Sequence, residues 1–189
     1  MEQMTAGLNV LAATGAIVVV GVIVGLMMCF DLGGPVNKVA YAFAVAGLGA
    51  ATAGNSTPYL IMAAVMAAGM VPPLALALAS TVLARRLFTP VERENGKAAW
   101  LLGASFVSEG AIPFAAADPL RVIPSMMVGG ALTGGLSMLF LVESRAPHGG
   151  IFVFFAINPV WGFALALAAG TVVSALIVAA LKRFVAPKE

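Results

Sequence analysis

The chain has 189 residues, of which 61% are hydrophobic and 10% charged, and its formal net charge is +2. Soluble domains carry about a quarter charged residues, so this composition, with a mean hydropathy of +1.05, excludes water as the main solvent. A bilayer crossing takes about 20 apolar residues, which leaves room for about five crossings, or for a mixture of crossings and half-crossings. The cations are concentrated in two clusters, Arg85, Arg86, Arg93 and Lys97, and then Lys182, Arg183 and Lys188. Both clusters are expected to face the cytoplasm, and the carboxy terminus with them.

Leu8 to Phe30 is an uninterrupted apolar run, long enough to cross at 1.5 Å per residue. Nothing before it, from Met1 to Thr5, reads as a cleaved signal. The lone Cys29 allows no internal disulfide and is expected to act as a small buried hydrophobe. The run stops at a polar, glycine-rich stretch from Asp31 to Lys38, and apolar character returns from Val39 to Gly54 as a tilted span or a re-entrant arm.

Four places set a capping side chain directly before proline: Thr57-Pro58, Thr89-Pro90, Asp118-Pro119 and Asn158-Pro159. Each predicts a helix start, because the side-chain oxygen takes an orphan amide and proline lacks an amide that had no partner. At Thr89 the signal is doubled by Glu92, which completes a capping box. The helix from Pro58 is expected to run to about Leu87, kinked or split at Pro72-Pro73. Ala98 to Leu120 reads as a hairpin that enters and returns. It is followed by a span from Val122 to Val142, whose Gly129-Gly130 and Gly134-Gly135 suit close helix packing. Ile151 to Leu181, interrupted at Asn158-Pro159, reads as a half-helix and then a span. The whole predicts an all-α membrane protein, residues 1–189 forming a single membrane domain of about four to five transmembrane helices plus re-entrant hairpin segments.

The stretch from Ser108 to Arg121 holds two carboxylates, an arginine and two prolines between apolar segments. A carboxylate at bilayer depth costs about 2.5 to 3.5 kcal/mol, so it persists only where protein or water solvates it. Glu109, between Ser108 and Gly110, therefore reads as a ligand contact at a broken helix, its two oxygens suited to neighbouring sugar hydroxyls; the plainer reading pairs it with a cation or lets it reach the interface. Asp118 is explained as an N-cap, with Arg121 either pairing with it or reaching the interface. His148, the only histidine, lies in a glycine-flanked loop and is read with equal weight as a contact or as an exposed loop residue. Asp31, Asn37 and Lys38 either line a site around an unwound segment or form an ordinary interfacial turn. No phosphate-cradling loop, nucleophile elbow or dinucleotide fingerprint is present.

Four strings in order, Phe30 to Phe43, Ala68 to Leu74, Ser108 to Arg121 and Ala146 to Phe152, resemble the membrane (IIC) component of fructose-type phosphotransferase-system permeases, in its carboxy-terminal half. The resemblance implies a permease that binds a sugar, fructose or a related hexose, carries it inward, and presents it to a phosphocysteine on a partner IIB domain. The phosphoryl-transfer chemistry would then reside on IIB. It also implies a homodimer with re-entrant hairpins and an elevator-like moving substrate domain. By the resemblance Glu109 in Ser108-Glu109-Gly110 contacts the sugar and His148 contributes. The family's amino-terminal half and its IIA and IIB domains have no counterpart in these residues, so a non-transporting scaffold or sensor fragment is the alternative. The bilayer, the missing half and IIB are the expected partners; no cofactor, metal or nucleic acid is expected.

Overall fold

The computed structural model describes residues 16–49, 51 and 55–184. Its helices are α1 (Ile17–Phe30), α2 (Pro35–Gly49), α3 (Thr57–Leu78), α4 (Pro90–Ala104), α5 (Ile112–Ala117), α6 (Pro119–Leu139) and α7 (Val160–Phe184). The strands among the described residues are two-residue segments, β1 (Glu143–Ser144) and β2 (Ile157–Asn158), paired antiparallel. Among the described residues three helical stretches are long and apolar enough to cross a membrane: Thr57–Leu83, Pro119–Leu139 and Val160–Phe184. α1 is apolar but shorter at 14 residues; the start of the expected first crossing, the Met1 to Thr5 segment, and parts of the Val39 to Gly54 run lie outside the described residues.

α3 is the axis of the molecule, with 94% of its apolar window enclosed by the other helices. Its alanine-, glycine- and methionine-rich sequence allows that, since small residues let neighbouring backbones close in on every side. The helix is not split at Pro72-Pro73 and runs through both prolines. Proline at position i cannot donate to the carbonyl at i−4, so Pro72 and Pro73 free the carbonyls of Ala68 and Gly69. Both find new donors. The Cys29 thiol donates to Ala68 O at 3.4 Å and the Ser108 hydroxyl to Gly69 O at 2.8 Å. Cys29 is fully buried, as its apolar setting predicts.

α1 lies along α6 through glycines on both helices. A Cβ at Gly25 would collide with the carbonyl of Gly130, and one at Gly134 with that of Gly21. The opposite side of α6 meets α7 in the same way, Gly129 against Gly170. Without a hydrophobic force between helices in lipid, such close backbone approach is what holds them together.

Of the four cap-proline signals, only Thr89 caps as expected. Its hydroxyl accepts from the Glu92 amide at 3.2 Å, and Glu92 Oε2 accepts from the Thr89 amide at 2.7 Å. Thr57 is already helical, and its amide is taken by Asn55 Oδ1 at 3.1 Å. Asp118 makes no capping bond, because its carboxylate is engaged by cations. Asn158 belongs to β2, its bond to Pro159 is cis, and α7 starts at Val160. The expected half-helix after Ile151 is instead a 3-10 stretch, Gly150–Ala156, broken at Val153 and followed by the β1–β2 bridge.

The chain from α4 to α5 turns back on itself as a hairpin. Glu92, at the start of α4, and Asp118, after α5, both lie against Lys182 near the end of α7, 3.0 and 3.7 Å from its ammonium. Arg85, Arg86 and Arg183 line one groove at the same end, so the two basic clusters share one end of the bundle. The hairpin's tip, from Ser105 to Ala111, is carried away from that end by the 15 residues of α4, about 22 Å at 1.5 Å per residue.

Candidate functional site

Three turns meet at the hairpin tip. The first joins α1 to α2. Asp31 accepts from the amides of Val36 at 2.7 Å and Asn37 at 2.9 Å, satisfying orphan donors at the start of α2. Asn37 Nδ2 donates to Met28 O at 2.7 Å and pins α2 to the end of α1. Between them Gly33 has φ +106, and a Cβ there would fall 2.8 Å from Glu109 Oε1. Glycine is needed on both counts.

The second turn is the tip itself. Ser108 is anchored to α3 by its bond to Gly69 O, and Gly110 is buried where a Cβ would press on Leu102 and Pro73. The backbone on both sides of Glu109 is therefore fixed to α3 and α4 while its own side chain stands exposed. None of the ion pairs among the described residues includes Glu109. The third turn is the loop Pro147 to Gly150, in which Gly149 and Gly150 both take positive φ. It brings the exposed His148 ring to 5.0 Å from Phe106 and 6.2 Å, edge-on, from Tyr41.

These turns enclose a hollow of about 210 Å³, with Asn37, Lys38, Tyr41, Ser108, Glu109 and His148 around it and Met28, Gly33 and Phe106 completing the wall. Asn37, Ser108, Glu109 and His148, singled out from sequence, are thus brought together. Asp31 and Gly110 are not on the wall; the one holds α2 and the other seats the tip. Tyr41, Phe106 and Met28 were not foreseen, because apolar and aromatic residues in apolar runs carry no signal of facing a polar space. The arrangement offers the acceptors Glu109 and the Asn37 carbonyl, and the donors Lys38 and Tyr41, beside two aromatic rings. A neutral ligand rich in hydroxyls matches such a set, each hydroxyl both donating and accepting. Among the described residues no group of three His, Cys, Asp or Glu side chains is placed to hold a metal ion.

At the base of the same hairpin the carboxylates are treated in the opposite way. Lys182 joins Glu92, and Arg121 joins Asp118 at 3.1 Å, with all four side chains at most 19% exposed. Burial pushes the Glu92 carboxyl up, but the Thr89 amide and the Lys182 ammonium more than offset this and hold it below the usual range.

A mostly helical chain with three bilayer-length apolar stretches among its described residues has the make-up of an integral membrane protein, and a polar hollow sits at its hairpin tip. No family model and no solved structure matches it. Curated proteins do. It is 53% identical over 186 residues to a PTS system fructose-specific EIIB'BC component of Vibrio cholerae, covering 97% of this chain and 31% of that protein. It is 47% identical over 175 residues to the Fructose permease IIC component of Bacillus amyloliquefaciens, covering 93% of this chain and 55% of that one. A PTS system fructose-specific EIIC component of Haloferax volcanii is 48% identical over 168 residues, 89% of this chain and 43% of its own. The chain belongs to the fructose-type phosphotransferase-system IIC family, and spans about a third to a half of the length of these relatives.

Proposed function

We propose that this chain forms the sugar-binding part of a fructose permease of the phosphotransferase system, embedded in the cytoplasmic membrane with its carboxy terminus inside. In this reading it corresponds to the carboxy-terminal part of a IIC domain, works with the remaining part of that domain and with a second copy of itself, and delivers the sugar to a IIB domain that phosphorylates it. Glu109 accepts hydrogen bonds from two sugar hydroxyls, Asn37 and Lys38 bind others, and Tyr41, Phe106 and His148 form the wall against the ring. Ser108 and Gly110 hold the tip in place, and Asp31 holds α2.

The observation that carries this reading is the carboxylate of Glu109, in no ion pair among the described residues, fixed by its backbone and open to a hollow to which two further turns bring Asn37, Lys38, Tyr41 and His148. Its volume, about 210 Å³, lies below the roughly 300–1,000 Å³ of drug-sized pockets, as suits a monosaccharide. The names of the relatives supply fructose as the substrate to test. Fructose is titrated calorimetrically into the purified chain, alone and co-expressed with the remaining part of a IIC domain. Saturable heat in either sample supports the proposal, and no binding in both refutes it.

A further inference from the structure

At the basic end of the bundle, away from the hairpin tip, a groove of about 700 Å³ runs between the end of α3 and the end of α7. Its origin is local. The hydroxyls of Ser80 and Thr81 donate back to the carbonyls of Leu76 and Ala77, each at 2.6 Å. The helix there loosens into a π turn, Ala79–Leu83, and then a 3-10 turn, Arg85–Leu87. Back-bonding of this kind bends helices. Opposite, α7 offers the small Ala179 and Ala180, so a gap remains.

The groove has two chemically distinct parts. Its floor is apolar and exposed, with Val82 at 64% and Leu176 at 54%. Its rim carries Arg85, Arg86 and Arg183, all exposed, none of them in an ion pair among the described residues. This contrasts with Arg121, Lys182 and Lys97, each of which has a carboxylate within reach. Arg86 and Arg183, from two elements, have no carboxylate partner among the described residues, and Arg85, which also feels Glu94 across the neighbouring cleft, stands beside them; planar guanidinium forks match phosphate oxygens two at a time.

We propose that this groove binds an anionic phospholipid, its phosphate held by Arg85, Arg86 and Arg183 and an acyl chain laid along Val82, Leu83 and Leu176. The apolar floor decides between lipid and an acidic protein. It is continuous with the surfaces of two bilayer-length helices, where hydrocarbon is the neighbouring phase, and basic pockets between helix ends are a recognised way to hold lipid headgroups. The inference depends on membrane embedding and not on the sugar reading.

The test places the full chain in phosphatidylcholine nanodiscs and measures, by electron spin resonance, the association of spin-labelled phosphatidylglycerol relative to spin-labelled phosphatidylcholine. Phosphatidylglycerol is expected to be preferred, and each of Arg85→Gln, Arg86→Gln and Arg183→Gln to lower the preference by up to roughly fivefold, the scale of one basic residue at an anionic surface. Ala180→Trp, which fills the groove and keeps every charge, should lower it too. Circular dichroism confirms that each variant is folded. Arg93→Gln, outside the groove, should leave the preference intact; an equal loss there would mean general cationic attraction and overturn the proposal. Displacement of the lipid by excess inorganic phosphate would overturn it in favour of a free-anion site. An unchanged preference in the triple arginine variant would also overturn it, and would return these arginines to an acidic protein partner.

Discussion

One hairpin carries Glu92 and Asp118 at its base and Glu109 at its tip, and its two ends treat these carboxylates in opposite ways. At the base, Glu92 and Asp118 are sequestered and held by Lys182 and Arg121. At the tip, Glu109 is exposed, faces a hollow, and has no cation bound to it among the described residues. The residue types are alike, so the difference lies in their partners. A carboxylate with dedicated cations and little solvent is already satisfied and holds elements together. One whose backbone is fixed while its oxygens stay free is available to a ligand.

The largest expected effect comes from breaking the base. Lys182→Met leaves Glu92 and part of Asp118 without their cation in a largely buried setting, which costs about 3–5 kcal/mol for a fully buried pair. A loss of roughly 3 kcal/mol should appear in denaturant unfolding in detergent, and a loss near zero would show that the pairing is incidental. The same variant should change the acid limb of stability. Because the folded-state carboxyl of Glu92 is held low, its stabilisation is complete above the ordinary carboxylate range and is lost as pH falls through the lowered folded value. The Lys182→Met protein should lose less stability across that acid window than its parent, as followed by unfolding midpoints from neutral to acidic pH.

A smaller effect tests how the tip is seated. Ser108→Ala leaves Gly69 O without a donor and should cost about 1–2 kcal/mol. Adding Pro73→Ala restores a backbone amide for that carbonyl, so the pair should cost less than the sum of the single variants in a double-mutant cycle; strict additivity would separate Ser108 from the proline. The smallest effect is the control. Lys97 pairs with Glu94 in the open, at 2.8 Å, and such pairs contribute little. Lys97→Gln should leave the unfolding midpoint where it was.

How much of this was legible in the sequence depends on the range of the interaction involved. The capping box at Thr89 spans three residues and was read correctly. The turning back of the chain between α4 and α6 and the close packing of α6 followed from apolar run lengths and paired glycines. Helices do start at Thr57 and at Pro119, but without the expected side-chain caps: Asn55, two residues away, takes the Thr57 amide, Arg121 and Lys182 take the Asp118 carboxylate, and Asn158 joins a strand instead. The continuity of α3 through Pro72-Pro73 rests on Cys29 and Ser108, each 39 residues from the carbonyl it serves. The Glu92–Lys182 pair spans 90 residues. Neither leaves a periodic trace. At the site, Glu109 stood out because a charge in an apolar chain demands an explanation, and His148 because it is the sole histidine. Tyr41 and Phe106 offered no such contrast.

The claim that the tip carboxylate is free for a sugar is tested most directly by Glu109→Gln, measured for both fructose affinity and unfolding. The change keeps the volume and removes the charge. With the fold intact and the unfolding free energy within about 0.5 kcal/mol, affinity should fall roughly tenfold or more, the scale of a hydrogen bond to a charged group. Unchanged affinity, or a loss of stability like that of Lys182→Met, would place Glu109 among the structural carboxylates and contradict the account.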